Sequence, residues 1–215
     1  ILDIYTTTQI AIIGKLTTNM LNCEKAFLDE IRYSYFDRQT EAYIIDSIGR
    51  ELVDYSEQPF VEKYTIDYTT LASVFEQITE ELERRFEEVL EDGIGVPDKK
   101  PLIFVMINNP EAIGFISSSK ELMSMYNAMT NKYKQMKILV VLAGLPDEAI
   151  GYSSGDLLKS IKEKKKAFIL SNIAEHKTFD IPSAFVRQNK KAIDPTQGYY
   201  LNESEIVKIR MIKEE

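Results

Sequence analysis

The amino-acid sequence predicts an α/β fold: a doubly wound, mostly parallel sheet with helices on both faces and a C-terminal β-hairpin. Three observations carry that expectation. Five short apolar runs recur along the chain, at 10–13, 42–45, 102–107, 138–142 and 167–170. Helical patterns stand between them, and the closing segment switches to two-residue alternation. Runs that are apolar at consecutive positions bury both faces of a strand, as a sheet covered on both sides requires. Their alternation with helices builds the doubly wound arrangement.

The first strand is Ile10-Ala11-Ile12-Ile13, followed by a helix over 20–35. The second is Ala42-Tyr43-Ile44-Ile45. The helix over 69–91 has the clearest signal, because Leu71, Val74, Phe75, Ile78, Leu82, Phe86 and Leu90 repeat at three- and four-residue steps. That period lays them on one stripe, with acids and arginines opposite. Asp92-Gly93 is its stop signal. A third strand at 102–107, a helix over 118–134 and strands at 138–142 and 167–170 complete the sheet. From Gly198 to Ile212 the pattern is Tyr199-Tyr200-Leu201, a polar Asn202-Glu203-Ser204 turn, then alternating Ile206, Val207, Ile209 and Met211. This reads as a hairpin on the sheet edge.

Composition narrows the function. The 215 residues, 44% apolar and 28% charged, suit one folded domain. No apolar run approaches the roughly 18 residues that cross a bilayer, and residues 1–5 lack a signal-peptide pattern. The chain opens on Ile1 rather than Met and is read as a fragment whose parent carries any membrane segments. A net charge of −8 argues against a nucleic-acid-binding surface. The single cysteine, Cys23, forbids an internal disulfide and suits a reducing compartment; within a helix it reads as a packing residue. The basic run 159–166 reads as a solvated helix face. His176, between Glu175 and Lys177, reads as a surface residue, and no His/Cys cluster suggests zinc.

One segment suggests chemistry. A phosphate-binding loop needs a strand, then Gly, four residues, Gly-Lys-Ser/Thr and a helix, so that backbone amides and the helix N-terminus hold phosphates while lysine and hydroxyl manage charge and Mg²⁺. Counting from Gly14 gives Lys15, Leu16, Thr17 and Thr18 as the loop, with Asn19, Met20 and Leu21 where Gly, Lys and Ser/Thr belong and the helix starting near Asn19. Met20 cannot offset phosphate charge and Leu21 cannot ligate Mg²⁺. By themselves, these residues read equally well as a plain strand, turn and helix start. Taking Gly14-Lys15 as the Gly-Lys pair puts Gln9 at the first glycine and Leu16 at the hydroxyl, which fits worse. A working enzyme also ends a later strand in a metal-orienting acid. Here Phe104-Val105-Met106-Ile107 is followed by Asn108-Asn109, amides that bring no charge for Mg²⁺ and make poor bases. Where a polar γ-phosphate sensor is expected after the next strand stands Leu142-Ala143-Gly144-Leu145-Pro146.

With these segments in this order, most of the chain resembles the FtsK/SpoIIIE branch of RecA-like motor ATPases. The strand 43–45 with its Asp46-Ser47-Ile48-Gly49-Arg50-Glu51-Leu52 turn looks like a family strand ending in aspartate, and Glu81-Leu82-Glu83-Arg84-Arg85-Phe86 is similar to a stretch of the family's long helix. Arg84 and Arg85 can also pair with Glu81 and Glu88 along that helix, and Asp46 can serve as a strand-end or turn residue. Within the branch, the altered loop resembles the last ATPase-like domain of type VII secretion coupling proteins of the EssC and EccC class from Firmicutes. The resemblance implies a cytoplasmic domain of a membrane-anchored parent. It also implies adjacent ATPase domains in the same chain, ring assembly of the parent, and secreted WXG100-type proteins as substrates. For this domain it implies substrate recognition and regulation of export rather than efficient hydrolysis, with no cofactor or weakly bound ATP at 14–21, Asn108 and Asn109. An active ATPase or a DNA translocase domain is the alternative.

Overall fold

The computed structural model describes residues 7–15, 17–92, 100–147 and 155–210. The chain runs through β1 (Gln9–Gly14), α1 (Thr17–Arg38), β2 (Thr40–Ile45), β3 (Val61–Thr65), α2 (Leu71–Asp92), β4 (Leu102–Ile107) and α3 (Pro110–Ser118). It continues through α4 (Lys120–Asn127), β5 (Ile138–Pro146), α5 (Asp156–Lys164), β6 (Lys166–Leu170), α6 (Ser183–Gln188), β7 (Gln197–Asn202) and β8 (Glu205–Arg210). The strands form one eight-stranded sheet in the order β3-β2-β4-β5-β1-β6-β7-β8. The first six are parallel; β7 and β8 add antiparallel to β6. Leu16, Gly93 and Met211 lie outside the described residues.

Alternate residues of each strand feed two cores. Ala11, Ile13, Tyr43, Ile45, Val105, Val140 and Ile169 pack under α2, α3, α4 and α5. Ile10, Ile12, Ile44, Phe104, Met106 and Val141 pack under α1 and the segment carrying Leu52, Tyr55 and Phe60. The expected helices on both faces and the terminal hairpin are therefore present. No helix among the described residues is long and apolar enough to cross a membrane.

Several boundaries differ from the sequence expectation. The helix expected over 118–134 is interrupted. Pro110 at the first turn and Asn109, whose Oδ1 accepts from Ala112 N at 3.0 Å, start α3 earlier. Extended Ser119 then separates α3 from α4 and caps α4 through Leu122 N at 3.3 Å. A π-helical turn over Ala128–Lys132 follows. The half-exposed edge strand β3 lies in a stretch with no apolar run to signal it. The strand expected to end at Leu142 continues to Pro146 through Gly144, whose φ of +71° only glycine adopts readily.

Candidate functional site

In a parallel sheet flanked by helices, ligands meet the protein at the carboxyl ends of the strands. At that edge β1 hands over to α1. Gly14 suits a close approach, since a Cβ there would lie 3.1 Å from both the Leu170 carbonyl oxygen and Met20 Cγ and would push on both. Only Lys15 and Leu16 separate β1 from α1. Thr17, Thr18 and Asn19 are thus the first helical residues rather than part of a longer loop, which corrects the expected start near Asn19. The intrinsic reason is that Met20 and Cys23 fall on the helix stripe facing the sheet, so burying them draws the helix back toward the strand. Met20 is only 6% exposed and sits in the core with Cys23, Leu28 and Ile31. Leu21 packs against the same core, and Asn19 is buried. Lys15 extends outward to an ion pair with Glu175 in the segment after β6.

Asn108 and Asn109, at the end of β4, are also buried. Their amides turn to the end of the neighbouring β2: Asn108 Nδ2 donates to Asp46 Oδ1 at 3.2 Å, and Asn109 Nδ2 donates to the Asp46 carbonyl at 3.1 Å. Gly144 belongs to the same arrangement, because a Cβ there would come within 3.0 Å of Asn108 Oδ1.

Asp46 is the hub. Fully buried, its carboxylate accepts from Ser47 N, Leu52 N and the Tyr64 hydroxyl, each at 2.8 Å, as well as from Asn108. Those bonds fix the turn 46–52, within which Ser47 Oγ donates to Glu51. Burial, then the hydrogen bond to Asp46, pushes the Tyr64 phenol up. Glu24 on α1 lies close enough to feel the same charges. Burial first, then Asp46 and Glu51, pushes its carboxyl up to about 8, and its Oε2 has no hydrogen-bond partner.

A second polar cluster closes the edge at β5. The first residue beyond that strand is Asp147, buried and carboxylate-bearing, so a polar side chain does stand at the strand end that the sequence placed at 142–146. His176 is likewise not a surface residue: its side chain is 0% exposed. Phe179 N–H donates to His176 Nε2 at 3.1 Å, which leaves Nδ1–H to donate to Asp147 Oδ1. Ser171 Oγ donates to the other carboxylate oxygen, and Thr178 Oγ1 donates to the Asp147 carbonyl at 2.7 Å. Burial opposes ionisation of Asp147, but the hydrogen bonds from His176 and Ser171 and the charge of Lys15 outweigh it and hold the carboxyl below the usual range. The serine meets the acid rather than the imidazole, so the trio is no relay for nucleophilic attack. It ties the segment 171–179 to the sheet. No sequence signal joined Asp147 to His176, which lie 29 residues apart.

Arg85 and Arg84 part company. Arg85 is 1% exposed and donates Nη1 to the carbonyls of Pro101 at 2.8 Å and Met136 at 3.1 Å, stitching α2 to the segments that enter β4 and β5. Arg84 stays outside and pairs with Glu81 and Glu88, while Arg85 Nε also donates to Glu81 at 2.7 Å, as the helical spacing allows. Both belong to the opposite edge of the sheet from Gly14. Among the described residues no cluster of His, Cys, Asp and Glu could hold a metal ion.

Solved structures share this fold over the whole chain. EssC (ATPases 2 and 3) from Geobacillus thermodenitrificans matches with a TM-score of 0.80 at 18% identity over 99% of this chain and 38% of that one. Thermomonospora curvata EccC (ATPases 2 and 3), in complex with a signal sequence peptide, matches with a TM-score of 0.65 at 15% identity over 100% of this chain and 38% of that one. The pCW3 conjugation coupling protein TcpA, with ATPγS, matches with a TM-score of 0.69 at 13% identity over 97% of this chain and 61% of that one. The chain thus spans well under half the length of the EssC and EccC chains. No family sequence profile and no curated protein sequence matches it. The chain has the P-loop ATPase fold of EssC and EccC.

Proposed function

We propose that this chain is a substrate-recognition and regulatory domain of a type VII secretion motor, one that does not hydrolyse ATP efficiently. Its place would be the cytoplasmic part of a membrane-anchored parent, beside further ATPase domains, with secreted WXG100-type proteins as substrates and the parent assembling as a ring. The fold shared with EssC and EccC supports the setting, and the signal sequence peptide bound to EccC supports the recognition role.

The observation that carries the reading is what Met20 and Asn108 do. In a hydrolysing site the residue at Met20 extends a charged amine to the phosphates and the strand end at Asn108 orients Mg²⁺. Here Met20 is packed in the core, and the Asn108 amide is committed to Asp46. The segment 14–21 with Asn108 and Asn109 then follows the sequence pattern of a nucleotide site without the lysine, hydroxyl and acid that such a site needs. Amides of the first turn of α1 could at most hold ATP weakly.

Thermal unfolding with and without millimolar Mg·ATP tests this. A ligand at a hundred times its dissociation constant stabilises by about 2.7 kcal/mol, a few degrees for a chain of this length. No shift is expected. A shift that disappears when Mg²⁺ is removed would overturn the reading of Leu21 and Asn108 and require an assay of hydrolysis.

A further inference from the structure

β8 is the last strand of the sheet, and among the described residues no strand pairs with its outer edge. The backbone groups on that edge can be assigned. β7 and β8 meet through the two-residue turn Glu203-Ser204, with Asn202 opposite Glu205. Glu203 N donates to the Lys165 carbonyl at 2.8 Å, toward β6. Odd-numbered residues along β7 therefore turn their backbone groups to β6, and even-numbered ones to β8. Asn202, Tyr200 and Gly198 then bond with Glu205, Val207 and Ile209. The N–H and C=O groups of Ile206, Lys208 and Arg210 face away from the sheet.

The side chains along this edge have a polarity. Glu203 and Glu205 stand just before and at the start of β8, Lys208 and Arg210 toward its end, and all four are exposed. Between them Val207 is 51% exposed. It ends a cross-strand row of Phe168 on β6, Tyr200 on β7 and Val207 on β8. α1 reaches that row at Phe168, which Phe27 meets edge-on at 5.4 Å between ring centres. From there the row runs through Tyr200, 4.9 Å from Phe168, to the exposed valine.

We propose that the outer edge of β8 is a pairing surface for a second copy of this chain, joined antiparallel about a two-fold axis at Val207. Three observations meet in that one register. Antiparallel pairing sets the acidic start of each strand beside the basic end of the other, whereas a parallel copy would align like with like. Ile206 of one copy faces Lys208 of the second, so the outward groups exchange hydrogen bonds on both sides of the axis. Val207 meets Val207 of the second copy, and the apolar row continues across the axis instead of ending in water. A register centred one residue on would oppose Lys208 to itself. Charges on an edge strand ordinarily block pairing with arbitrary strands. Here they follow the pattern that an antiparallel copy satisfies, and the contact closes at two copies.

Two strands bury little area, so the dimer is weak. The test is sedimentation velocity of the 215-residue chain over a concentration series reaching hundreds of micromolar. A monomer–dimer equilibrium is expected, with no larger species. Val207→Lys opposes like charges on the axis and should weaken the dimer about tenfold. The Tm of dilute protein should stay unchanged, because that side chain is half exposed. Two further variants decide the matter even if Val207→Lys folds poorly. Glu203→Lys with Glu205→Lys makes the edge basic throughout, and Lys208→Glu with Arg210→Glu makes it acidic throughout. Each alone should remain monomeric, and an equimolar mixture should restore the dimer, more fully at low salt than at high. A wild type that stays monomeric, a folded Val207→Lys that dimerises as tightly as the wild type, assembly beyond two copies, or a mixture that behaves as the sum of its parts would overturn the proposal.

Discussion

Asp46 and Glu24 are both carboxylates shut away from water beneath the same edge of the sheet, and the fold treats them in opposite ways. Asp46 is met by two backbone amides, a phenol and an amide side chain. Glu24 is enclosed with one oxygen unpartnered and with Asp46 and Glu51 as neighbours. A buried acid is affordable when donors surround it, and otherwise keeps its proton. The charge balance of this edge is therefore internal: one carboxylate is secured at the expense of another's ionisation.

The most damaging way to break the comparison is Asp46→Ala, which leaves Leu52 N, Ser47 N and the Tyr64 hydroxyl without their acceptor. A loss of about 4 kcal/mol in urea unfolding at pH 7 is expected, and a loss below about 1 kcal/mol would mean that the turn 46–52 is not held by this side chain. Glu24→Gln sharpens the contrast through pH. The folded chain keeps the Glu24 proton to about pH 8, against an ordinary glutamate value of 4.5. Folding takes up a proton between those values, so stability falls as pH rises across that window. The wild type should lose about 4 kcal/mol from this group between pH 5 and pH 9. Glu24→Gln should be nearly neutral at pH 5 and clearly stabilising at pH 9; identical pH profiles for the two proteins would refute the assignment. The smallest effect belongs to Asp147, which resembles Asp46 in having donors and differs in lying next to a charge. Its lowered pKa contributes stability above the unfolded value of 3.8 that disappears as pH falls through the folded one. Asp147→Asn should cost about 1–2 kcal/mol at pH 7, and the cost should shrink on acidification, as paired unfolding curves at pH 7 and in acid would show.

The parts of the fold that were legible in the sequence are those whose burial is two-sided or strictly periodic. β1, β2, β4, β5 and β6 are runs of apolar residues, and α2 displays one stripe from Leu71 to Phe86, because each meets core on the faces its pattern predicts; Leu90, expected on the same stripe, is 67% exposed, since the end of the helix runs past the core. β3 escaped notice because an edge strand with Glu62 and Lys63 exposed has no apolar run to betray it. The break at Ser119 was readable in principle, since Asn109-Pro110 is a cap followed by a first-turn proline; the helical period of the residues beyond it drew the start too late. Gly144 looked like the end of a strand because a glycine in an apolar run usually marks a turn, whereas here it gives Asn108 room within a continuing strand. At the candidate site, which residue types stand at 14–21 and 108–109 was plain. The partners of those side chains were not, because Asn108 meets Asp46 across 62 residues and Lys15 meets Glu175 across 160. Spacing along a chain carries no trace of such meetings.

The position of β1 has a consequence in time. Among the eight strands described it comes first in the chain, yet its neighbours are β5 and β6, with Gln9 opposite Val140 and Ala11 opposite Ala167. During synthesis β2, β3 and β4 can find one another while β1 waits for most of the remaining chain to emerge. Closing so long a loop makes this the slow step of folding, and until it happens the residues that will become the most deeply buried strand, Ile10 to Ile13, remain available to whatever else is in the cell.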